Sequence, residues 1–108
     1  MKGYSMNKND FVNTICEATE KLIAAAKLEN PREMKPLFTD VPIGDNESVN
    51  ICAEYEFTDD GDIDDLWIYF DYSIGDFGGW LRRPASDLNP VGIKKTAEEL
   101  FQIMQMEE

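Results

Sequence analysis

Histidine is missing altogether, and with it the commonest general base, metal ligand and triad member. The two cysteines, Cys16 and Cys52, stand far apart with no CxxC spacing, so zinc and thioredoxin-type chemistry have no framework. They read as free thiols in apolar-periodic segments rather than as a disulfide. No apolar run approaches the roughly 20 residues of a membrane-spanning helix. The opening MKGYSMNKNDF lacks the apolar segment of a leader peptide. A cytoplasmic location and no membrane partner are therefore expected.

The most informative absence is local. From Pro36 to Leu81 there is no Lys or Arg, while twelve Asp and Glu fall in that stretch. The rest of the chain balances ten acidic against ten basic residues, so the whole net charge of -12 lives in the middle. Such a field repels nucleic acid and anionic membrane and draws basic surfaces inward. Mean hydropathy is -0.43 and 43% of residues are hydrophobic, which places the chain among globular proteins rather than disordered ones. At 108 residues one domain, 1–108, with residues 1–8 as a loose arm, is the expectation.

The acidic stretch is built around a hairpin, VNICAEYEF–TDDGDID–DLWIYFDY, residues 49–72. Asp60-Gly61 is a strong turn dipeptide, and as a two-residue type I′ turn it sets the register. Asp59 then faces Asp62, Tyr55 faces Leu66, Ala53 faces Ile68, Ile51 faces Phe70 and Val49 faces Tyr72. These positions give one apolar face apart from the turn. A slip of one residue would mix the faces. The opposite face carries Glu54, Glu56, Asp65, Trp67, Tyr69 and Asp71, with Asn50 and Cys52 among them. Glu56 opposes Asp65 without a cation between them, which costs up to about 1 kcal/mol.

Two readings of that second face follow. One is a solvated sheet face whose aromatics are covered by a helix or loop. The other is a recognition face, with Trp67 and Tyr69 as aromatic anchors ringed by carboxylates that pair with Arg or Lys of a partner. Arg82 and Arg83, the only basic pair between Lys35 and Lys94, are candidates to close back on it as an internal counter-charge.

Around the hairpin the elements are legible from periodicity. Asn9 or Asp10 is a candidate cap for an amphipathic helix through Phe11, Ile15, Ala18, Leu22 and Ala25, stopped at Asn30-Pro31. Residues 31–48 are punctuated by prolines, with Leu37-Phe38 as a short edge strand or a core plug. Gly79–Arg83 is a candidate third strand ended by Pro84. Asn89-Pro90 opens a C-terminal helix through Ile93, Ala97, Leu100 and Met104. The fold class expected is α+β: a two-layer sandwich of an N-terminal helix, an antiparallel sheet of two to four strands built on the central hairpin, and a C-terminal helix.

The motifs that hint at chemistry fail on inspection. Aligning Gly61 with the sharp-turn glycine of an EF-hand loop places Thr58 at the third position and Trp67 where the bidentate Glu belongs. Asp76-Phe77-Gly78 spells a kinase tripeptide without the rest of the kinase set. No catalytic residue, metal site or cofactor is expected, and the chain is not expected to be an enzyme. The function expected is an acidic protein-binding inhibitor. Glu54, Glu56, Asp59, Asp60, Asp62, Asp64, Asp65, Trp67, Tyr69 and Asp71 would occupy the basic site of a nuclease or other nucleic-acid-handling protein. This would be partial nucleic-acid mimicry, as immunity, anti-restriction and phage anti-CRISPR proteins practise it. The analogy rests on charge and size alone. No direct nucleic-acid contact is expected. The alternative is a general cytosolic interaction module or a homo-oligomeric subunit, such as a homodimer, without catalytic activity.

Overall fold

The computed structural model describes residues 6–106. The elements run α1 (Lys8–Lys27), β1 (Leu37–Gly44), β2 (Glu47–Phe57), β3 (Ile63–Ile74), β4 (Phe77–Pro84), a 3₁₀ turn (Ala85–Asp87) and α2 (Pro90–Met106). The four strands form an antiparallel sheet in the order β1-β2-β3-β4, so the α+β two-layer architecture holds with four strands.

One-sided burial organises the two layers. Val49, Ile51 and Ala53 of β2 and Leu66, Ile68 and Phe70 of β3 are buried, and they alternate with residues of the opposite face. They share one core with Phe11, Ile15 and Leu22 of α1 and Ile93, Ala97 and Leu100 of α2. Both helices therefore lie on the same side of the sheet. Phe11 and Phe101 meet edge to face at 5.3 Å, where the helices pack on each other. Full burial of each large aliphatic or aromatic side chain contributes about 1.5–3 kcal/mol.

Three expectations need correction at the ends of elements. The arm expected over residues 1–8 does not include residues 6–8. Residues 1–5 lie outside the described residues, but Met6 packs against the core and Lys8 already begins α1. The cap of α1 is Asn7 rather than Asn9 or Asp10, because the Asn7 side chain accepts from the Asp10 N–H at 2.9 Å. Leu37-Phe38 opens a strand of eight residues, not a dipeptide, since β1 pairs with β2 from Leu37 opposite Ala53 to Gly44 opposite Glu47. The start of α2 is as expected: Asn89 accepts from the Gly92 N–H at 2.8 Å, with Pro90 in the first helical position.

The hairpin keeps its expected register from Val49 opposite Tyr72 to Glu56 opposite Asp65, then shifts so that Phe57 meets Ile63. The turn is not the two-residue type I′ turn. Thr58 N–H donates to the Asp62 carbonyl at 2.8 Å, and Gly61 N–H donates to the Thr58 carbonyl at 2.9 Å. Asp59, Asp60 and Gly61 thus make a three-residue loop, so Thr58 rather than Asp59 faces Asp62. Gly61 holds φ +84°, whereas Asp60 does not adopt positive φ. A type I′ turn would force Asp60 into the left-handed region, at about 1–2 kcal/mol for a residue with a Cβ. The longer loop leaves only glycine there, and a bulge at Asp64 absorbs the odd residue.

This geometry separates the two turn residues experimentally. Gly61→Ala should cost about 1–2 kcal/mol from left-handed strain alone, since no atom lies within 4 Å of the added Cβ. Asp60→Ala should stay within about 0.5 kcal/mol of the parent. Urea denaturation of both variants checks this, and equal costs would reinstate the two-residue turn.

Candidate interaction face on the open side of the sheet

The pleat that buries Ile51 and Phe70 sends their neighbours the other way, and no helix covers that side. Rows cross all four strands there: Phe38, Cys52, Tyr69 and Arg82 form one, and Asp40, Asn50, Asp71 and Trp80 the next. A third row sets Glu54 beside Trp67 and Pro84, and Glu56 beside Asp65 closes the patch toward the turn. Phe38 is 65% exposed and Trp80 62%. These two aromatics, together with Asp40, belong to strands that sequence reasoning left open and were not among the expected site residues. Period-two alternation within 37–44 and 77–84 is the signal that points to them.

Of the expected residues, Glu54, Glu56, Asp65, Trp67, Tyr69 and Asp71 come together on this face. Asp59, Asp60 and Asp62 stand exposed in the turn, and Asp64 is exposed at the bulge, displaced along the hairpin from the aromatic centre. Among the described residues, no Lys or Arg forms an ion pair with Glu54, Asp59, Asp60, Asp62, Asp64 or Asp71. The turn is held from beneath instead. Arg32, in the connection after α1, donates to the Gly61 carbonyl at 2.8 Å, with its guanidinium 5.6 Å from the Phe57 ring.

The centre of the face carries its own cation. The Arg82 guanidinium lies 4.1 Å from the centroid of Trp67 and bonds Glu56 Oε1 at 3.1 Å. Tyr69 donates its hydroxyl proton to the same Glu56 oxygen at 2.8 Å, and Arg82 donates to the Tyr69 oxygen at 3.3 Å. Burial and the Glu56 bond both push the Tyr69 phenol above its ordinary value of 10.0. Arg83 points to the opposite side, as its odd position in the strand demands, and pairs with Glu99 of α2 at 2.8 Å. Only one of the two arginines therefore returns to the acidic face. The opposed pair Glu56 and Asp65 is resolved by separate partners, since Asp65 accepts from the Ser86 hydroxyl at 3.1 Å and the Leu66 N–H at 2.7 Å.

Trp67 and Tyr69 thus lie under the Arg82 guanidinium, whereas Phe38 and Trp80 stay exposed. Trp67 Nε1 is buried and has no hydrogen-bond partner. The Arg82 guanidinium, donor only, cannot satisfy it. Cys52, in the row between Phe38 and Tyr69, is buried and free, and Cys16 is also free. Burial, reinforced by Glu54 and Asp71, pushes the Cys52 thiol up to about 11. Among the described residues no group of three His, Cys, Asp or Glu is placed to hold a metal, and no helix is long and apolar enough to cross a membrane. No family model matches the chain, and no curated protein or solved structure matches it.

Two measurements check this geometry. Arg82→Ala in a Trp80→Phe background should red-shift the emission of Trp67 and increase its quenching by acrylamide, because the ring loses its cover. An unchanged spectrum would mean that Arg82 does not cap Trp67. Folded Cys52 should alkylate with iodoacetamide on the order of 100-fold more slowly at neutral pH than in urea, since the thiolate is the nucleophile. Peptide mapping separates it from Cys16, and equal rates would contradict the raised thiol value.

Proposed function

We propose that this chain is an acidic protein-binding inhibitor, acting without a catalytic step, whose open sheet face occupies the basic site of a nuclease or other nucleic-acid-handling protein. The observation that supports this reading is the open face itself: Phe38 and Trp80 stand exposed on it, among carboxylates of which Glu54 and Asp71 pair with no Lys or Arg of the described residues. Outward residues two apart on one strand recur about every 6.6 Å. Glu54, Glu56, Asp65 and Asp71, with Asp59, Asp60, Asp62 and Asp64 beyond them, therefore lay a spaced line of negative charge along the hairpin. That line fits a groove built to bind a phosphate backbone, and charge complementarity of this kind sets on-rate and specificity. Trp67, Tyr69 and Trp80 supply the apolar contact area that binding hot spots draw on. The Arg82 guanidinium 4.1 Å from the Trp67 centroid and bonded to Glu56 supports this reading, since it is an indole beside a carboxylate that takes a guanidinium. Trp80, exposed and opposite Asp71, offers a partner's arginine the same combination.

The test is capture by the tagged chain, washed at low and at high salt, with identification of the retained proteins. The control carries Asp59, Asp60, Asp62, Asp64 and Asp65 changed to Asn. The expected result is a basic nucleic-acid-handling protein that is lost with the control and released by salt, and whose activity falls when the wild-type chain is added. A partner that is neutral and indifferent to both changes overturns the reading.

A further inference from the structure

The two edges of the sheet are defended differently. On β1, Asp40 and Pro42 interrupt the edge, and α1 packs alongside. On β4 the run Phe77-Gly78-Gly79-Trp80 carries no charge, and as the terminal strand it has a neighbour on one side only. Its two basic residues do not guard it, since Arg82 is folded onto Glu56 and Arg83 onto Glu99. Phe77 is 61% exposed. Among the described residues β4 is also the only strand without a carboxylate, so it is where two copies of a chain of net charge -12 can approach most closely.

We infer that two copies pair through their β4 edges, antiparallel and about a two-fold axis at Gly79, to make one continuous eight-stranded sheet. Residues directly opposite across an antiparallel pair lie on the same face, which limits the registers to those centred on a residue. Centring on Gly79 sets Trp80 against Gly78 of the second copy and Phe77 against Leu81, so that only the uncharged run 77–81 is paired. Each large ring then meets a glycine or an apolar side chain. Centring on Trp80 instead puts Arg82 against Gly78 and Arg83 against Phe77. Centring on Leu81 puts Arg82 against Trp80 and Arg83 against Gly79. Both bring the two arginines, already bonded to Glu56 and Glu99, into the paired run. The interface is isologous, so every contact occurs twice. The open faces of the two copies become one surface, with the aromatic centres side by side across the axis.

Sedimentation equilibrium of the full chain from about 1 µM to 1 mM, a span that covers weak to moderate association, tests this. The expected result is a concentration-dependent rise to twice the 12.3 kDa chain mass. The Phe77→Lys and Trp80→Lys double variant should stay at monomer mass throughout, with an unchanged circular dichroism spectrum because both positions are exposed. Isotope-filtered NMR on a mixture of labelled and unlabelled chains should show contacts between the Phe77 ring of one copy and the Leu81 methyls of the other. A wild-type chain that is monomeric throughout the range overturns the inference, as does a dimer that survives the two lysines. So does a dimer that lacks the Phe77–Leu81 contact.

Discussion

The strict two-residue period of the central hairpin is the constraint on which everything else depends. A strand has two faces and no third option. Once Val49, Ile51, Ala53, Leu66, Ile68 and Phe70 are committed to the helices, their neighbours are committed to the opposite face. The acidic and aromatic residues between them are not gathered by a separate folding event. They are delivered to the open side by the same register that builds the core. A one-residue slip would bury carboxylates and expose the core, so stability and surface chemistry are locked to each other.

That coupling leaves a crowded field, and the sheet relieves it with few means. Glu56 is bound to Arg82 and Tyr69, and Asp65 is turned to Ser86 and its own strand. The turn receives Arg32 at a carbonyl, not at a carboxylate. Most of the charge therefore stays in solution. Self-repulsion of this kind favours solubility at a cost to the compact state.

How much of this was legible in the sequence depends on the range of the physics involved. The hairpin faces and the Asn89-Pro90 start of α2 are local patterns and were readable. The turn was not, because two one-residue departures cancel: the three-residue loop shifts the register and the bulge at Asp64 restores it. A pattern that matches Val49 to Tyr72 cannot distinguish that from no departure at all. The strand β1 hid behind Pro42, a residue that an edge tolerates and a central strand does not. The divergence of Arg82 and Arg83 was in principle available, since consecutive residues of a strand must point apart. It needed the third pairing, β3 with β4, to be known first. Of the candidate site, six residues share one surface because alternation put them there. The four in and beside the turn were grouped with them by sequence proximity, and space separates them.

One feature at the far end of the sheet has a mechanical meaning. The Gly75 N–H donates to the Asn46 carbonyl at 2.8 Å, tying the β1–β2 turn to the β3–β4 turn. All three strand connections of the sheet are turns, and two of them are fastened together at one end while the third, Thr58 to Asp62, stands at the other, braced by Arg32. The hairpin is built as a cantilever: clamped at the root, loaded at the tip with like charges that push outward. Force applied at the acidic tip is carried down two paired strands into the core, so a body that takes hold of the tip takes hold of the whole molecule.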